Sequence, residues 1–234
     1  MFRFIAFIMF FASLAHANLY EISNADQFLA FVEPGSIVFW DLDRTIMVFD
    51  QKPPHSAELV DSQIPKIIST LQAKGIVVLA LTRRNIKLLG NTESELKKFG
   101  IDFSKGAPII KNQEFAPSML FKDGIIFTSE QEKGEALNPF LSQIGFKPSS
   151  LILIDDQWYN IVSVDQAAAE QKINFNGFYY RQADINDHLF EATQKITQVK
   201  IGDFPLEKHR DVPPSSSAIK NLTNGLTTSC TDLF

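Results

Sequence analysis

The chain has 234 residues, 45% of them hydrophobic, with a formal net charge of -5 and a single cysteine. That length and apolar content suit one globular domain with a real core, and mild acidity with scattered basic residues excludes the electrostatic footprint of a nucleic-acid binder. A lone cysteine, Cys230 in the polar tail, excludes an intramolecular disulfide, so packing alone must hold the fold.

The N-terminal "MFRFIAFIMFFASLAHAN" joins Arg3 to an apolar stretch from Phe4 to Ala15 and a small-residue ending at Ala17. This is the layout of a secretory signal peptide, and the stretch is shorter than the roughly 20 residues a membrane span needs. The expectation is cleavage after Ala17, a secreted or periplasmic protein, and no stable membrane insertion. Residues 1–17 are then signal peptide and 18–201 the folded domain. Residues 202–234, with "PPSSS" and "NLTNGLTTS" and no apolar periodicity, form a poorly ordered or loosely docked tail.

Along the mature chain, "ADQFLAFVE" predicts a helix closed by Pro34 and Gly35, and "SIVFWDLD" a buried strand. A second helix falls between Ala57 and Lys74, with Pro65 in its first turn and Ile64, Ile67, Ile68 and Leu71 on one face. "GIVVLALT" is continuously apolar, as expected of a strand covered on both sides in a parallel sheet. Ile86, Leu89, Leu96 and Phe99 then predict a helix ending at Gly100. "MLFKDGIIFTS" predicts a hairpin turning at Asp123 and Gly124. A helix in "EKGEALNPFLSQIG", a strand in "SSLILIDD", a helix in "NIVSVDQAAAEQK", a strand in "NGFYYR" and a helix from Asp187 to Gln198 complete the domain. Strands alternating with helices imply an α/β fold, a Rossmann-like parallel sheet flanked by helices.

Three of these strands end in polar residues: Asp41 with Asp43, Thr82, and Asp155 with Asp156. The carboxyl ends of parallel strands share one edge, where ligands bind, and Lys133 opens a helix that leads into the last of the three. Arg83 and Arg84 follow Thr82 and suit either substrate phosphate or acidic side chains. His55 reads as a loop histidine, and Phe178, Tyr179 and Tyr180 as core.

The series Asp41-Leu42-Asp43-Arg44-Thr45, Thr82, Lys133 and Asp155-Asp156, in that order over residues 36 to 160, resembles the four motifs of the haloacid dehalogenase-like phosphohydrolases. It is also similar to an exported bacterial branch of unknown function. The resemblance implies a magnesium-dependent phosphohydrolase with Asp41 as nucleophile and Mg2+ held by Asp41, the Asp43 carbonyl and Asp156, with Asp155 the second choice. Asp43 would protonate the leaving oxygen and later activate water. Thr82 and Lys133 would bind the phosphoryl group; Arg83, beside Thr82, is a separate substrate-binding candidate. Asn160 stands where a further acid is usual in that pattern. The intervals from Ile46 to Gly75 and from Arg83 to Glu132 leave room for no full cap, at most a small hairpin lid, so an open site and a bulky phosphorylated substrate are expected. The alternatives are a catalytically weak binding or host-interaction module and, more weakly, a phosphotransferase.

Overall fold

The computed structural model describes residues 17–49, 56–108, 112–116, 118–197 and 219–221. The apolar stretch Phe4 to Ala15, His55 and Cys230 lie outside them. Strands are β1 (Ala17–Ile22), β2 (Ile37–Trp40), β3 (Met47–Phe49), β4 (Ala57–Leu59), β5 (Val77–Thr82), β6 (Gln113–Ala116), β7 (Met119–Lys122), β8 (Ile125–Phe127), β9 (Ser150–Asp155), β10 (Asn174–Tyr180) and β11 (Ile219–Asn221). The α-helices are α1 (Ile64–Ala73), α2 (Leu89–Lys98), α3 (Lys133–Leu141), α4 (Trp158–Glu170) and α5 (Gln182–Thr197).

One sheet runs in the order β11-β1-β10-β9-β2-β5-β8-β7-β6, with every pairing from β11 through β8 parallel and the last two antiparallel. This is the expected α/β architecture. Alternation along β2 divides the core: Val38 and Trp40 pack with Ile64, Ile68 and Leu71 of α1 on one face. Ile37 and Phe39 pack with Phe140 of α3 and Ile161 and Val164 of α4 on the other. Phe178, Tyr179 and Tyr180 are all buried, as expected.

Several elements depart from the sequence pattern. Gln27–Phe31 is one short 3₁₀ turn rather than a helix through Glu33, and α1 starts only at Ile64 because Ala57–Leu59 pair with Met47–Phe49 in a separate two-stranded sheet. β1 begins at the residue after which cleavage is expected and pairs with β10 along its length. In the tail, Ile219–Asn221 add a strand beside β1. The predicted hairpin at Asp123 and Gly124 is present as β7 and β8 but extends the sheet. Because β8 runs parallel to β5, with Thr82 opposite Phe127, that turn lies at the edge away from Thr82. It does not cover the carboxyl edge. Among the described residues no helix is long and apolar enough to cross a membrane.

Candidate active site

β2 lies between β5 and β9 in the sheet, so the residues that end these three strands meet at one edge. Asp41 follows Trp40 directly, and its backbone N–H bonds the Ile154 carbonyl of β9 at 3.0 Å. Lys133, the first residue of α3, is fully buried; its Nζ donates to Asp41 Oδ1 and to Asp155 Oδ2, each at 2.5 Å. The sequence around it, "SEQEKGEAL", reads as surface. What draws it in is Gly134: a Cβ there would collide with the Ser163 carbonyl, so α3 and α4 approach closely. Ser163 Oγ accepts from the Gly134 N–H at 2.9 Å. A buried ammonium is tolerable only with partners of opposite charge.

The two adjacent acids have separate environments. Asp155 is the more heavily hydrogen-bonded: besides Lys133, its Oδ1 accepts from the Gln157 N–H at 2.8 Å and Asn160 Nδ2 at 3.0 Å. Asp156 keeps more freedom, accepting from Gln157 Nε2 at 2.7 Å and lying 3.6 Å from Arg44 Nε. Thr45, which the motif contained without a role, is buried and ties the cluster together. Its Oγ1 donates to Asp41 Oδ2 at 3.3 Å and accepts from the Asp156 N–H at 3.1 Å.

Thr82 is fully buried; its hydroxyl oxygen accepts from the Arg84 N–H at 3.1 Å, which leaves its own O–H to donate. Arg83 reaches across the end of β2: Nη1 donates to the Tyr159 hydroxyl at 2.7 Å and Nη2 to the Glu130 carbonyl at 2.5 Å. Its guanidinium carbon sits 5.3 Å from the Tyr159 ring centre. Arg84 turns the other way and pairs with Asp43 and Glu95, which settles its open assignment in favour of acids. Arg44, at a left-handed φ of 62°, pairs with Asp184 and Asp187 of α5. Asp41, Lys133, Asp155 and Asp156 therefore converge; Thr82 ends the neighbouring strand β5, Asp43 and Arg83 flank the cluster, and Asn160 supports Asp155.

Asp41, Asp155 and Asp156 each offer an oxygen, all within 4.8 Å of one another. Against three carboxylates stands one buried ammonium. Burial holds the Asp41 carboxyl well above the usual range; Lys133 pulls it back, and Asp155 and Asp156 push it further up. Burial likewise raises Asp156 to about 7, with the Asp155 charge adding to it and Gln157, Lys133 and Arg44 opposing it. Lys133 is raised despite burial because Asp155 and Asp41 outweigh desolvation. Clustered hard oxygen donors with too little positive charge fit a divalent ion such as magnesium. The buried Asn160 Oδ1, without a hydrogen-bond partner among the described residues, is a further acceptor beside them.

A stability test follows. The Asp156 carboxyl has a folded pKa of about 7, above the roughly 3.9 of an unfolded aspartate. Its contribution is therefore fully present below about pH 4 and is lost as pH rises through about 7. In chelator, Tm should decline over that window, Asp156→Asn should flatten the decline, and magnesium should raise Tm more at high pH than at low. An identical pH profile for Asp156→Asn and wild type would remove Asp156 from the cluster's charge balance.

Fold and site together define an α/β protein with a buried lysine–carboxylate cluster at the carboxyl edge of its parallel sheet. The chain belongs to the family described as "Protein of unknown function (DUF2608)", which it matches over residues 45–208. That span begins just past Asp41 and Asp43 and includes Thr82, Lys133, Asp155 and Asp156. The chain is 27% identical over 125 residues to a Chlamydia muridarum protein named "Putative outer membrane protein", covering 53% of this chain and 47% of that one. A Chlamydia trachomatis protein of the same name is 26% identical over 135 residues, 58% of this chain and 51% of that one. An "Uncharacterized protein" of Rickettsia bellii is 26% identical over 193 residues, 71% and 64% of the two chains. The chain thus spans about half the length of the curated chlamydial relatives it matches.

Proposed function

We propose that this protein is an exported, magnesium-dependent phosphohydrolase of the haloacid dehalogenase-like kind, acting on phosphomonoesters through Asp41. The observation that carries this reading is the fully buried Lys133 joining Asp41 to Asp155 at the sheet edge. Such an ammonium offsets charge where an anionic nucleophile must approach an anionic phosphoryl group. The N-terminal layout and the names of the chlamydial relatives support export to the envelope or beyond.

An Asp41 carboxylate oxygen attacks phosphorus, the bond to the leaving oxygen breaks, and an aspartyl-phosphate forms. Lys133 and the Thr82 O–H face the phosphoryl oxygens, and Arg83 holds their outer side. Water then attacks phosphorus, Asp43 accepts its proton, and Asp41 is released as carboxylate. A magnesium ion held by Asp41, Asp156 and the Asp43 backbone carbonyl would supply charge neutralisation in both steps. Asp155 is the positioning acid, because its oxygens are already committed to Lys133, Gln157 and Asn160.

Hydrolysis of an aryl phosphate that requires magnesium and stops with chelator is the expected result; no turnover across a broad phosphoester panel would overturn the proposal. A second reading, a binding module with weak turnover, is favoured by Asn160, a neutral amide beside the acids. It predicts phosphate or magnesium binding without a beryllofluoride adduct on Asp41.

A further inference from the structure

The chain enters α3 through a turn that its residues disfavour. The Gln131 N–H bonds the Thr128 carbonyl at 3.1 Å, and both residues between them have positive φ, 49° at Ser129 and 73° at Glu130. Two positive φ angles at the centre of a β-turn suit glycine, asparagine and aspartate, not serine followed by glutamate. Such a backbone persists only where its surroundings over-determine it. Glu132 alone separates this turn from Lys133, so the shape of the turn sets where the buried ammonium arrives.

Arg83 supplies the restraint at Glu130. Its carbonyl accepts from the Glu130 N–H at 2.9 Å, and its Nη2 donates to the Glu130 carbonyl at 2.5 Å, so one residue holds both backbone polar groups of Glu130. The Glu130 side chain is exposed; the contact uses its backbone. Ser129 is held beside it: its N–H bonds the Arg84 carbonyl at 3.3 Å, and its Oγ accepts from the Ile86 N–H at 3.2 Å. The Arg83 guanidinium is fixed in turn by the Tyr159 hydroxyl, 2.7 Å from Nη1, in the first turn of α4. A planar fork can bond the turn and α4 in two directions at once, which a single ammonium cannot do in the same geometry.

We infer that Arg83 is a positioning residue for Lys133: it clamps the left-handed Ser129–Glu130 turn and thereby holds the Lys133 ammonium between Asp41 and Asp155. This role is separate from any contact with the phosphoryl group. Its kinetic consequence rests on the phosphohydrolase reading above; its structural consequence does not.

The test uses the full mature protein and two readouts: reductive methylation of Lys133, followed by peptide mass spectrometry, and kcat and KM on an aryl phosphate with magnesium. Wild-type Lys133 should be protected. Arg83→Ala should raise its labelling by about tenfold or more through local opening and lower kcat by about 100-fold, the scale for a misplaced catalytic group. Adding Glu130→Gly should restore protection and about tenfold or more of the lost kcat, because glycine holds a positive φ unaided; KM keeps whatever Arg83 contributes by direct contact. If Arg83→Ala fails to fold, Arg83→Lys, alone and with Glu130→Gly, takes its place with the same expected pattern. Lys133 as protected in the Arg83 variant as in wild type, or a double variant no better protected than the single one, overturns the inference. Absence of turnover on every ester overturns the phosphohydrolase reading, and the labelling then decides the inference by itself.

Discussion

Asp41→Asn is expected to abolish turnover of an aryl phosphate, lowering kcat by about 10⁴-fold or more, while the protein keeps its fold. The amide matches the carboxylate in size and keeps an oxygen to accept from Lys133, so the packing between β2, α3 and β9 survives. What disappears is the nucleophile: an amide oxygen lacks the charge to displace a leaving group from phosphorus. Charge balance gives the experiment an internal control. Asp41 is raised first by burial and then by the neighbouring charges of Asp155 and Asp156, so neutralising it relieves strain in the cation-free protein. Thermal melting in chelator should therefore show a Tm equal to or above that of wild type. Initial rates with magnesium and melts in chelator, measured on the same preparations, separate loss of chemistry from loss of structure. A folded Asp41→Asn protein that retains a tenth of the wild-type rate would exclude the proposed nucleophile.

The largest effect on stability belongs to Lys133→Met. Methionine fills much of the same volume, but it leaves two carboxylates facing each other in a site that exposes 9% of the Asp41 side chain and none of Asp155. Removing one member of a buried ion pair costs about 3–5 kcal/mol, which for a domain of this size lowers Tm by roughly 10 °C. Activity should fall by about 100-fold or more, the scale for losing one group that stabilises the transition state. The double variant Lys133→Met/Asp155→Asn distinguishes the causes. It removes the repulsion and should recover most of the stability, a coupling far from additive, yet activity stays low because the ammonium is still missing. If the single variant melts with wild type, the ion triad contributes nothing net to the fold, and the reason for Lys133's burial must be sought in catalysis alone.

The sheet-edge position also gives the family match a physical content. The matched span holds Thr82, Lys133, Asp155 and Asp156 but starts after Asp41 and Asp43. In this chain Asp41 completes the cluster from the end of β2, between β5 and β9, and Asp43 flanks it.

From sequence alone, the apolar runs of β2, β5 and β9 were legible as covered parallel strands, because four to six consecutive apolar residues have no solvent-facing side. The acids and the threonine that end those runs marked the edge for the same reason: polar groups at the end of a buried strand need partners. The hairpin at Asp123 and Gly124 was legible from turn chemistry, although its place in the sheet was not. Other features depended on pairing between distant segments. β3 and β4 are three residues each, too short to carry a pattern and held by their mutual ladder. β1 adjoins the apolar leader, which hides its own alternation, and it is defined by register with β10. Only the tertiary structure distinguished Arg83 from Arg84, since adjacent side chains leave a strand end in different directions and meet partners far along the chain. It likewise separated Asp155, held by Lys133, Gln157 and Asn160, from Asp156, and brought a lysine set in a surface-like sequence into the core. Local periodicity reports which side of an element faces solvent; which charge meets which is decided by how the elements pack.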